Sequence, residues 1–399
     1  MHYRSVGDVP AKRHLRTPAP GGGLLFEELM GEEGFSGDSS LLYHLRSPSA
    51  LVAAGEAGGG PDGAEVSDGT GDTRMALVPN EPLLPRHLHT SKLAPGGDPS
   101  GGRHLLLGNE DVRLSWVAAD RSGPLWRNAL GDELAYVQAG EGALESVFGR
   151  LAVRPGDYVV VPRSTCHRWV VPDGGRLELL VVEARGHIRP PHRYLSPTGQ
   201  FLEQAPYCER DVRGPDEPLV VDDGPVDVLV RHRHGVTRHT LASSPFDVIG
   251  WAGCVYPWAF SIHDFEPLVG AIHQPPHVHQ TFEGPGFVVC SFVPRPYDFH
   301  EGAIKVPYHH ANVDSDEVIF YSAGDFMSRA GSGIGAGSIS VHPAGFVHGP
   351  QPGSLEAAAD RDRTEEVAVM VDTFRPLLLG PAALDVADDA YPWSWSRRA

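Results

Sequence analysis

Residues 337–348 read GSISVHPAGFVH, and a matching stretch, GDYVVVPRSTCH, occupies residues 156–167. In both, a glycine is followed after five residues by a proline and after four more by a histidine. A glutamate followed six residues later by glycine precedes each stretch: Glu133 with Gly140, and Glu317 with Gly324. The two glutamate-to-histidine separations are 34 and 31 residues. Agreement at five positions with nearly equal spacing indicates a duplicated β-barrel module.

Short β-branched or alternating runs, broken by Gly, Pro and Asp, surround both stretches. They favour strands, and because none alternates with a long amphipathic helix, a parallel α/β fold is disfavoured. We therefore predict a mainly β protein, with one short helix over FEELMGEEGF (26–35). The predicted strands are 133–138, 143–153, 158–161, 177–184, 286–293, 318–321, 338–341 and 367–374.

The charge balance narrows the class of partner. The 399 residues include 33 Lys and Arg against 51 Asp and Glu, a formal charge of −18. Without a basic run, this argues against nucleic acid and against an anionic membrane. The Met1 end does not resemble a signal peptide, and no apolar stretch approaches the roughly 18 residues of a membrane span. We expect a cytoplasmic protein with a small-molecule ligand.

Histidines concentrate in the second half, with eight between residues 273 and 348. Among them, His310 and His348 together with Glu317 offer two imidazoles and a carboxylate. This donor set suits a divalent transition metal with positions left open for substrate and O2, and it favours non-haem Fe(II) over a four-ligand structural zinc. Because the first module retains Glu133 and His167 but has no histidine pair, we expect one metal centre per chain, in the second module.

The second stretch also satisfies a known family pattern. Its Gly337, Pro343, Gly345 and His348 fill G-x5-P-x-G-x2-H, the second motif of the cupin superfamily. The first cupin motif is met in part, with Asn312 in place of its second histidine. Over most of its length the chain further resembles the homogentisate 1,2-dioxygenase family. The segments that carry this resemblance include LLFEELMGEEGF, LLYHLRSPS, SPFDVIGWAGCVYP, FVPRP, PYHHANVDSDEV and HPAGFVHGP.

This resemblance implies two cupin-type (jelly-roll) β-barrels with an N-terminal arm and irregular connecting segments. We predict an arm over 1–104 with a glycine-rich mobile loop at 55–71, a degenerate metal-free barrel over 105–190, a connecting sheet and loops over 191–270, and a catalytic barrel with a C-terminal tail over 271–399. The family implies a homo-oligomer, a trimer or hexamer. It also implies cleavage of homogentisate by Fe(II) and O2 to 4-maleylacetoacetate, as in tyrosine and phenylalanine catabolism.

The resemblance also implies roles for individual residues. It makes His310, Glu317 and His348 the Fe(II) ligands, with no organic cofactor. His273 is the candidate general base and His279 its rival. The candidate substrate-binding residues are His348, Phe326, His342 and Tyr321. At Phe326 the family has a substrate-contacting tyrosine, so the exact substrate stays open. The candidate partners of a substrate carboxylate are Arg295, Lys305 and Arg329.

Other functions remain alternatives. A cupin dioxygenase could act on a related hydroquinone or aminophenol acid in secondary metabolism. A zinc-dependent sugar-phosphate isomerase is another enzyme hypothesis, with less support from the sequence. A two-barrel storage or ligand-binding protein is the non-enzymatic reading, and it would not need an intact set of metal ligands.

Overall fold

The computed structural model describes residues 1–56 and 77–396. The predicted mobile loop, 55–71, therefore lies outside the described residues except for its first two positions, which end a strand. Within these ranges the chain is mainly β, as predicted, and no helix has the length and apolar content needed to span a membrane.

The secondary-structure elements of the described ranges follow in chain order. The strands of the first half are β1 (Arg4–Gly7), β2 (Phe26–Gly31), β3 (Ser39–His44), β4 (Leu51–Glu56), β5 (Arg86–His89), β6 (His104–Gly108), β7 (Val112–Ala119), β8 (Leu125–Asn128), β9 (Glu133–Ala139), β10 (Gly142–Ser146), β11 (Gly149–Val153), β12 (Asp157–Val161), β13 (His167–Val170) and β14 (Leu177–Ala184). The strands of the second half are β15 (Val212–Arg213), β16 (Val226–His232), β17 (Gly235–Leu241), β18 (Val248–Gly253), β19 (Trp258–Ser261), β20 (Gln280–Gly284), β21 (Phe287–Phe292), β22 (Arg295–Pro296), β23 (Asp316–Ala323), β24 (Ser338–His342), β25 (Arg363–Thr364), β26 (Val367–Thr373) and β27 (Leu378–Leu379). The α-helices are α1 (Ser354–Ala358) and α2 (Pro381–Val386). The 3-10 turns are Glu33–Phe35, Thr90–Lys92, His192–Tyr194, Glu209–Asp211, Ile262–Asp264, Pro276–His279, Met327–Arg329 and Tyr391–Ser396.

The predicted strands are all present, with ends within two residues of the prediction, and 143–153 forms the hairpin β10–β11. The predicted helix over 26–35 is wrong. Its first six residues form β2, which pairs antiparallel with β3 from Phe26 opposite His44 to Gly31 opposite Ser39. This ladder with the next strand satisfies the backbone groups, so strand pairing overrides the local helical preference.

Two large sheets carry the duplicated pattern. The first-module sheet has the strand order β15-β19-β12-β9-β14-β7-β6-β27, and the second-module sheet has the order β20-β21-β26-β23-β24-β5. The triplet β12-β9-β14 corresponds to β24-β23-β26, with the glutamate-bearing strand at the centre of each. The repeat that the sequence predicted is therefore present as a repeat of strand order.

The two module sheets pack against each other through an aromatic layer. The ring of Phe320, on β23, lies 5.5 Å from Trp116 and 6.0 Å from Tyr136. Hydroxyl pairs also cross the layer: Tyr136 to Ser322 Oγ at 2.7 Å, and Tyr158 to Ser291 Oγ at 2.8 Å. Each sheet thus packs one face against this shared core, while its other face lines the interior of its own module.

The two inward faces are filled differently. In the first module, an aliphatic cluster that includes Leu144, Leu151, Val159 and Val181 packs around Trp169. In the second module, the inward cluster is smaller: Cys290, Ile319, Tyr321, Phe326, Ala368 and Met370. The second module therefore leaves room for a cavity, while the first is packed with side chains.

Strand pairing links distant parts of the chain. The arm strand β5 pairs with β24 in the second-module sheet, and β19 pairs with β12 in the first. Near the C-terminus, β27 pairs with β6. The division into ranges 1–104, 105–190, 191–270 and 271–399 stays a prediction, and the strand pairing crosses its boundaries.

Candidate metal centre

The structure brings His310, Glu317 and His348 together. One potential ligand atom from each lies within 4.8 Å of those of the other two. His310 Nε2 is 3.5 Å from Glu317 Oε2, and His348 Nε2 is 3.2 Å from Glu317 Oε1. Glu317 and His348 are buried, while His310 is partly exposed. The cluster is thus closed on the barrel side and open on the other.

Backbone contacts set the orientation of both imidazoles. Residues 310 and 348 form an isolated antiparallel bridge with reciprocal N–H···O distances of 2.8 and 2.9 Å. His310 Nδ1–H donates to the Tyr308 carbonyl at 3.1 Å, and His348 Nδ1–H donates to the Phe346 carbonyl at 2.9 Å. Each Nε2 then faces the carboxylate of Glu317, so that a cation could bind between them. The donor set therefore fits a two-histidine, one-carboxylate metal centre.

The carboxylate of Glu317 is held in its charged form. Burial alone would raise the pKa of Glu317, but contacts with His310, His342 and His348 outweigh it and hold this pKa well below its usual range. A metal ligand of this kind needs the deprotonated carboxylate. The site is therefore prepared for a cation at neutral pH.

His342 lies behind the cluster. Its Nδ1 is 2.8 Å from Glu317 Oε1 and its Nε2 is 2.9 Å from the Tyr391 hydroxyl. Its ring stacks on His348 with 4.0 Å between centroids, and burial lowers its pKa to about 3. His342 therefore supports the ligands Glu317 and His348 from the side away from the cavity.

In the first module, the glutamate that corresponds to Glu317 pairs with an arginine. Trp126 lies opposite His167 as His310 lies opposite His348, and Trp126 precedes Glu133 by the same seven residues. The guanidinium of Arg103, itself buried, donates to Glu133 Oε2 at 2.6 Å. Because this fixed charge already neutralises the carboxylate, a divalent cation would be repelled there.

A cavity of about 220 Å³ opens beside the triad in the second module. Its wall includes His310 and Glu317 together with His273, His279 and Arg295. Acidic groups on the wall include Asp298 and Asp372. The cavity therefore joins the candidate metal ligands to both candidate bases.

The two candidate bases differ in their surroundings. His273 is partly exposed, its Nδ1 lies 3.3 Å from Asp298 Oδ2, and its ring meets Tyr308 edge-on at 4.8 Å. His279 is buried against Phe292, and burial with the nearby Arg295 charge lowers its pKa to about 3. An imidazole with so low a pKa is a poor proton acceptor, whereas the carboxylate of Asp298 orients His273. The geometry favours His273 as the base.

Tyr321 and Phe326 pack together, with 5.1 Å between ring centroids. The hydroxyl of Tyr321 contacts Ser340 Oγ at 3.1 Å and accepts from Arg329 Nε at 3.0 Å. Neither ring is part of the cavity wall, which continues through Met327 and Ser328. Their predicted contacts with substrate therefore stay predictions.

The three candidate partners of a substrate carboxylate have different surroundings. Arg329 is buried and donates to Tyr321 and to the Gly349 carbonyl, and Lys305 donates to the carbonyls of Ala359 and Arg361. All three line the cavity, but the side chain of Arg295, which is largely buried, donates among the described residues only to the Val293 carbonyl, at 3.2 Å. Arg295 is therefore the best placed of the three.

Sequence reasoning missed Asp298 and Asp372. Asp372, on β26, lies directly opposite Glu317 on β23. Burial, with the neighbouring charge of Glu317, raises the pKa of Asp372 to about 8. Its signal in the sequence is a carboxylate on the inward face of an apolar strand, in VAVMVDT (367–373). Asp298, in a loop, left no such signal, and only its proximity to His273 reveals it.

Comparison with known proteins relates the chain to dioxygenases. Residues 112–262 match the family described as homogentisate 1,2-dioxygenase N-terminal. A protein of Saccharolobus solfataricus named "Putative dioxygenase SSO1533" is 37% identical over 401 residues, covering 99% of each chain. The homogentisate 1,2-dioxygenase of Emericella nidulans is 26% identical over 65% of this chain and 61% of its own length.

Among solved structures, a cupin 2 conserved barrel domain protein from Leptotrichia buccalis aligns with 75% of this chain and all of its own, at 11% identity. Its TM-score is 0.36, too low to support an argument.

Proposed function

Because this chain belongs to the same family as the putative dioxygenase of Saccharolobus solfataricus and matches the homogentisate 1,2-dioxygenase N-terminal family over residues 112–262, we propose that it is a non-haem Fe(II) dioxygenase that opens the ring of homogentisate to give 4-maleylacetoacetate. The observation that carries the proposal is the convergence of His310, Glu317 and His348, two of which, His310 and Glu317, lie in the wall of a cavity. Three ligands leave coordination positions free, as a ring-cleaving oxygenase requires.

The residues around the cavity support the chemistry. A bound Fe(II) would supply Lewis acidity toward a phenolate and a site for O2. His310, Glu317 and His348 would hold the ion, and His342 would fix two of these ligands. His273, oriented by Asp298, would take the proton from the phenol nearest the metal.

Arg295 would orient the substrate. The substrate's acetate arm is anionic, and the whole chain carries a formal charge of −18, so a local positive group is needed. Arg295 has no carboxylate within ion-pair distance among the described residues, and it shares the cavity wall with the metal ligands. A carboxylate held by Arg295 would keep the ring in the cavity that His273, His310 and Glu317 also line.

A second candidate substrate follows from Phe326. The family tyrosine is absent at this position, so a related hydroquinone or aminophenol acid stays an alternative. The same ligands and base would serve that reaction, and only the contacts with the ring substituents would differ.

Oxygen uptake tests the proposal. The protein is loaded anaerobically with Fe(II) and then mixed with homogentisate, gentisate or 3-hydroxyanthranilate in air-saturated buffer. We expect uptake with homogentisate and a product that absorbs in the ultraviolet. The variant His348→Ala should lose both iron and uptake, whereas His167→Ala, at the equivalent position of the first module, should keep the iron. Rapid turnover of another ring and none of homogentisate would replace the first substrate by the second.

Cytoplasmic location and assembly as a trimer or hexamer are likewise part of the proposal, carried by the family resemblance. Light scattering coupled to size-exclusion chromatography measures the mass of the assembly. A mass of one chain would contradict the predicted oligomer.

A further inference from the structure

A second group of potential metal ligands lies outside the cavity. His87, His89 and Asp388 each present one ligand atom, and these atoms lie within 4.8 Å of one another. His87 and His89 are two residues apart on β5, so their side chains share a face of the strand, with 4.1 Å between ring centroids. Asp388 follows α2 near the C-terminus, and its Oδ2 is 3.5 Å from His87 Nδ1.

The side chains of this group are held in place by neighbouring atoms. Asp388 N donates to the His87 carbonyl at 2.8 Å, and Ala390 N donates to Asp388 Oδ1 at 2.9 Å, which leaves Oδ2 free to face His87. His87 Nε2 is 2.8 Å from Ser338 Oγ. Such contacts to the outer atoms of a ligand are what orient imidazoles and carboxylates at metal sites.

One inner atom, by contrast, lacks a hydrogen-bond partner. His87 is fully buried, and no described residue makes a hydrogen bond to its Nδ1. A buried polar atom of this kind costs free energy unless something satisfies it. Burial also lowers the pKa of His87 to about 4, so its imidazole is neutral at pH 7, the form that binds metals.

The space in front of these atoms is kept open by glycine. A Cβ at Gly333 would lie 3.7 Å from Asp388 Oδ2 and 4.0 Å from His87 Nδ1. Any larger side chain there would extend into the group. Ligand atoms around a tetrahedral zinc ion lie about 3.3 Å apart. The 3.5 Å between His87 Nδ1 and Asp388 Oδ2 is close to that value.

We propose that His87, His89 and Asp388 form a second metal site that binds Zn²⁺ or a similar divalent transition ion. Two imidazoles and one carboxylate, with a water as the fourth ligand, match the preferences of zinc. The site joins the arm strand β5 to the C-terminal tail. That tail carries Tyr391, whose hydroxyl contacts His342 behind the triad. The second ion thus acts as a clamp on the segment that supports the first site.

Zinc binding to a protein without the catalytic triad tests this site independently of the proposed function. In a His310→Ala/His348→Ala background, titration calorimetry with Zn²⁺ alone should give about one equivalent per chain. Adding Asp388→Asn or His89→Ala should abolish that binding. The matched control Asp389→Asn alters the neighbouring exposed aspartate and should leave it intact.

Thermal denaturation gives a second measurement on the same variants. Zn²⁺ should raise the melting temperature of the triad-less protein and of its Asp389→Asn derivative, but not of the Asp388→Asn derivative. His87 is avoided as the main variant because its burial makes misfolding a competing explanation. The proposal is overturned if the triad-less protein binds no zinc, or if Asp388→Asn and His89→Ala bind it as tightly as their parent.

Discussion

Glu133 and Glu317 occupy the same position in two copies of one module, yet they have different partners. Glu317 faces three imidazoles, whereas Glu133 accepts from Arg103 and, at 2.7 Å, from Asn128. The difference arises because Trp126 stands where the second module has His310 and because the buried guanidinium of Arg103 pairs with Glu133. At the scale of the residue, the identity of the neighbours decides whether a buried carboxylate faces imidazoles or an arginine.

We expect His273→Gln to lower kcat about 10²- to 10⁴-fold while iron content stays unchanged, since a positioned general base contributes on that scale. His279→Gln should lower kcat much less, because the low pKa of His279 keeps it neutral. Steady-state oxygen uptake and iron analysis on both variants make the measurement. Equal losses in the two variants would contradict the assignment of His273 as the base.

At the scale of the element, the turn after each glutamate-bearing strand requires glycine. Gly140 and Gly324 have φ values of +84° and +90°. A Cβ would lie 1.8 Å from the Arg176 carbonyl oxygen in the first turn and 1.8 Å from the Glu365 carbonyl oxygen in the second. The matching glycines in the sequence therefore mark the same close approach of two strands.

Gly324→Ala should destabilise the protein by about 2–4 kcal/mol, since it adds backbone strain to a contact with a carbonyl that cannot move away. Gly331→Ala is the control, because Gly331 has a similar φ of +81° but open space around its Cβ position. Urea denaturation should show a smaller loss there, about 1 kcal/mol. A loss for Gly324→Ala no larger than that of the control would refute the role of the contact.

The small sheet β1-β18-β3-β2 contains a buried histidine whose charge links its strands. His44 Nδ1 is 2.6 Å from Asp247 Oδ1, and His44 Nε2 is 3.0 Å from Glu28 Oε2. Burial opposes protonation, but these two carboxylates together raise the pKa of His44 to about 9. The folded state therefore binds the proton more tightly than the unfolded state, whose histidine titrates near 6.5.

The stabilisation from His44 is fully present below pH 6.5 and should be lost as the pH rises through 9. By linkage it amounts to about 3 kcal/mol. The melting temperature of the natural sequence should therefore fall over this range by more than that of His44→Gln, which has no charge to lose. Parallel pH profiles for the two proteins would disprove the role of His44.

At the scale of the whole molecule, the two modules depend on a shared core and on exchanged strands. The arm supplies β5 to the second-module sheet, and the layer around Phe320 joins that sheet to the first. The inner faces then diverge: the first is packed with aliphatic side chains, and the second holds the cavity. The packed module thus acts as a platform for the module that carries the site.

Phe320→Ala should cost about 3–5 kcal/mol, because it removes a fully buried ring from the layer between the modules. Phe299→Ala is the control, since that ring is 73% exposed, and it should change stability by less than about 0.5 kcal/mol. Thermal denaturation of the iron-loaded proteins makes the measurement. Similar melting temperatures for the two variants would mean that the sheets do not depend on this contact.

The strands and the turns between them could be predicted from the sequence, because they depend on the local residue pattern. Alternating runs fix strands through side-chain direction, and the spaced glycines and prolines fix the turns between them. Glu317 and His348 stand at matched positions of the repeat, whereas His310 was singled out by the donor set it completes and by the family resemblance, because the first module has Trp126 at the corresponding position. The helix predicted over 26–35 was wrong because residues 26–31 pair with β3, and this pairing is not visible in the pattern of residues 26–35 alone.

By itself, then, the sequence determined the mainly β architecture, its duplication and the three candidate metal ligands. Only the tertiary structure showed that, of the two candidate bases, His273 has a carboxylate partner. It also showed that Asp372 lies opposite Glu317 and that Arg103 pairs with Glu133 in the first module. It alone brought His87 and His89 to Asp388, about 300 residues along the chain. The physical reason is that the alternation of side chains along one strand is a local property, whereas burial and charge pairing depend on which distant segments share a core.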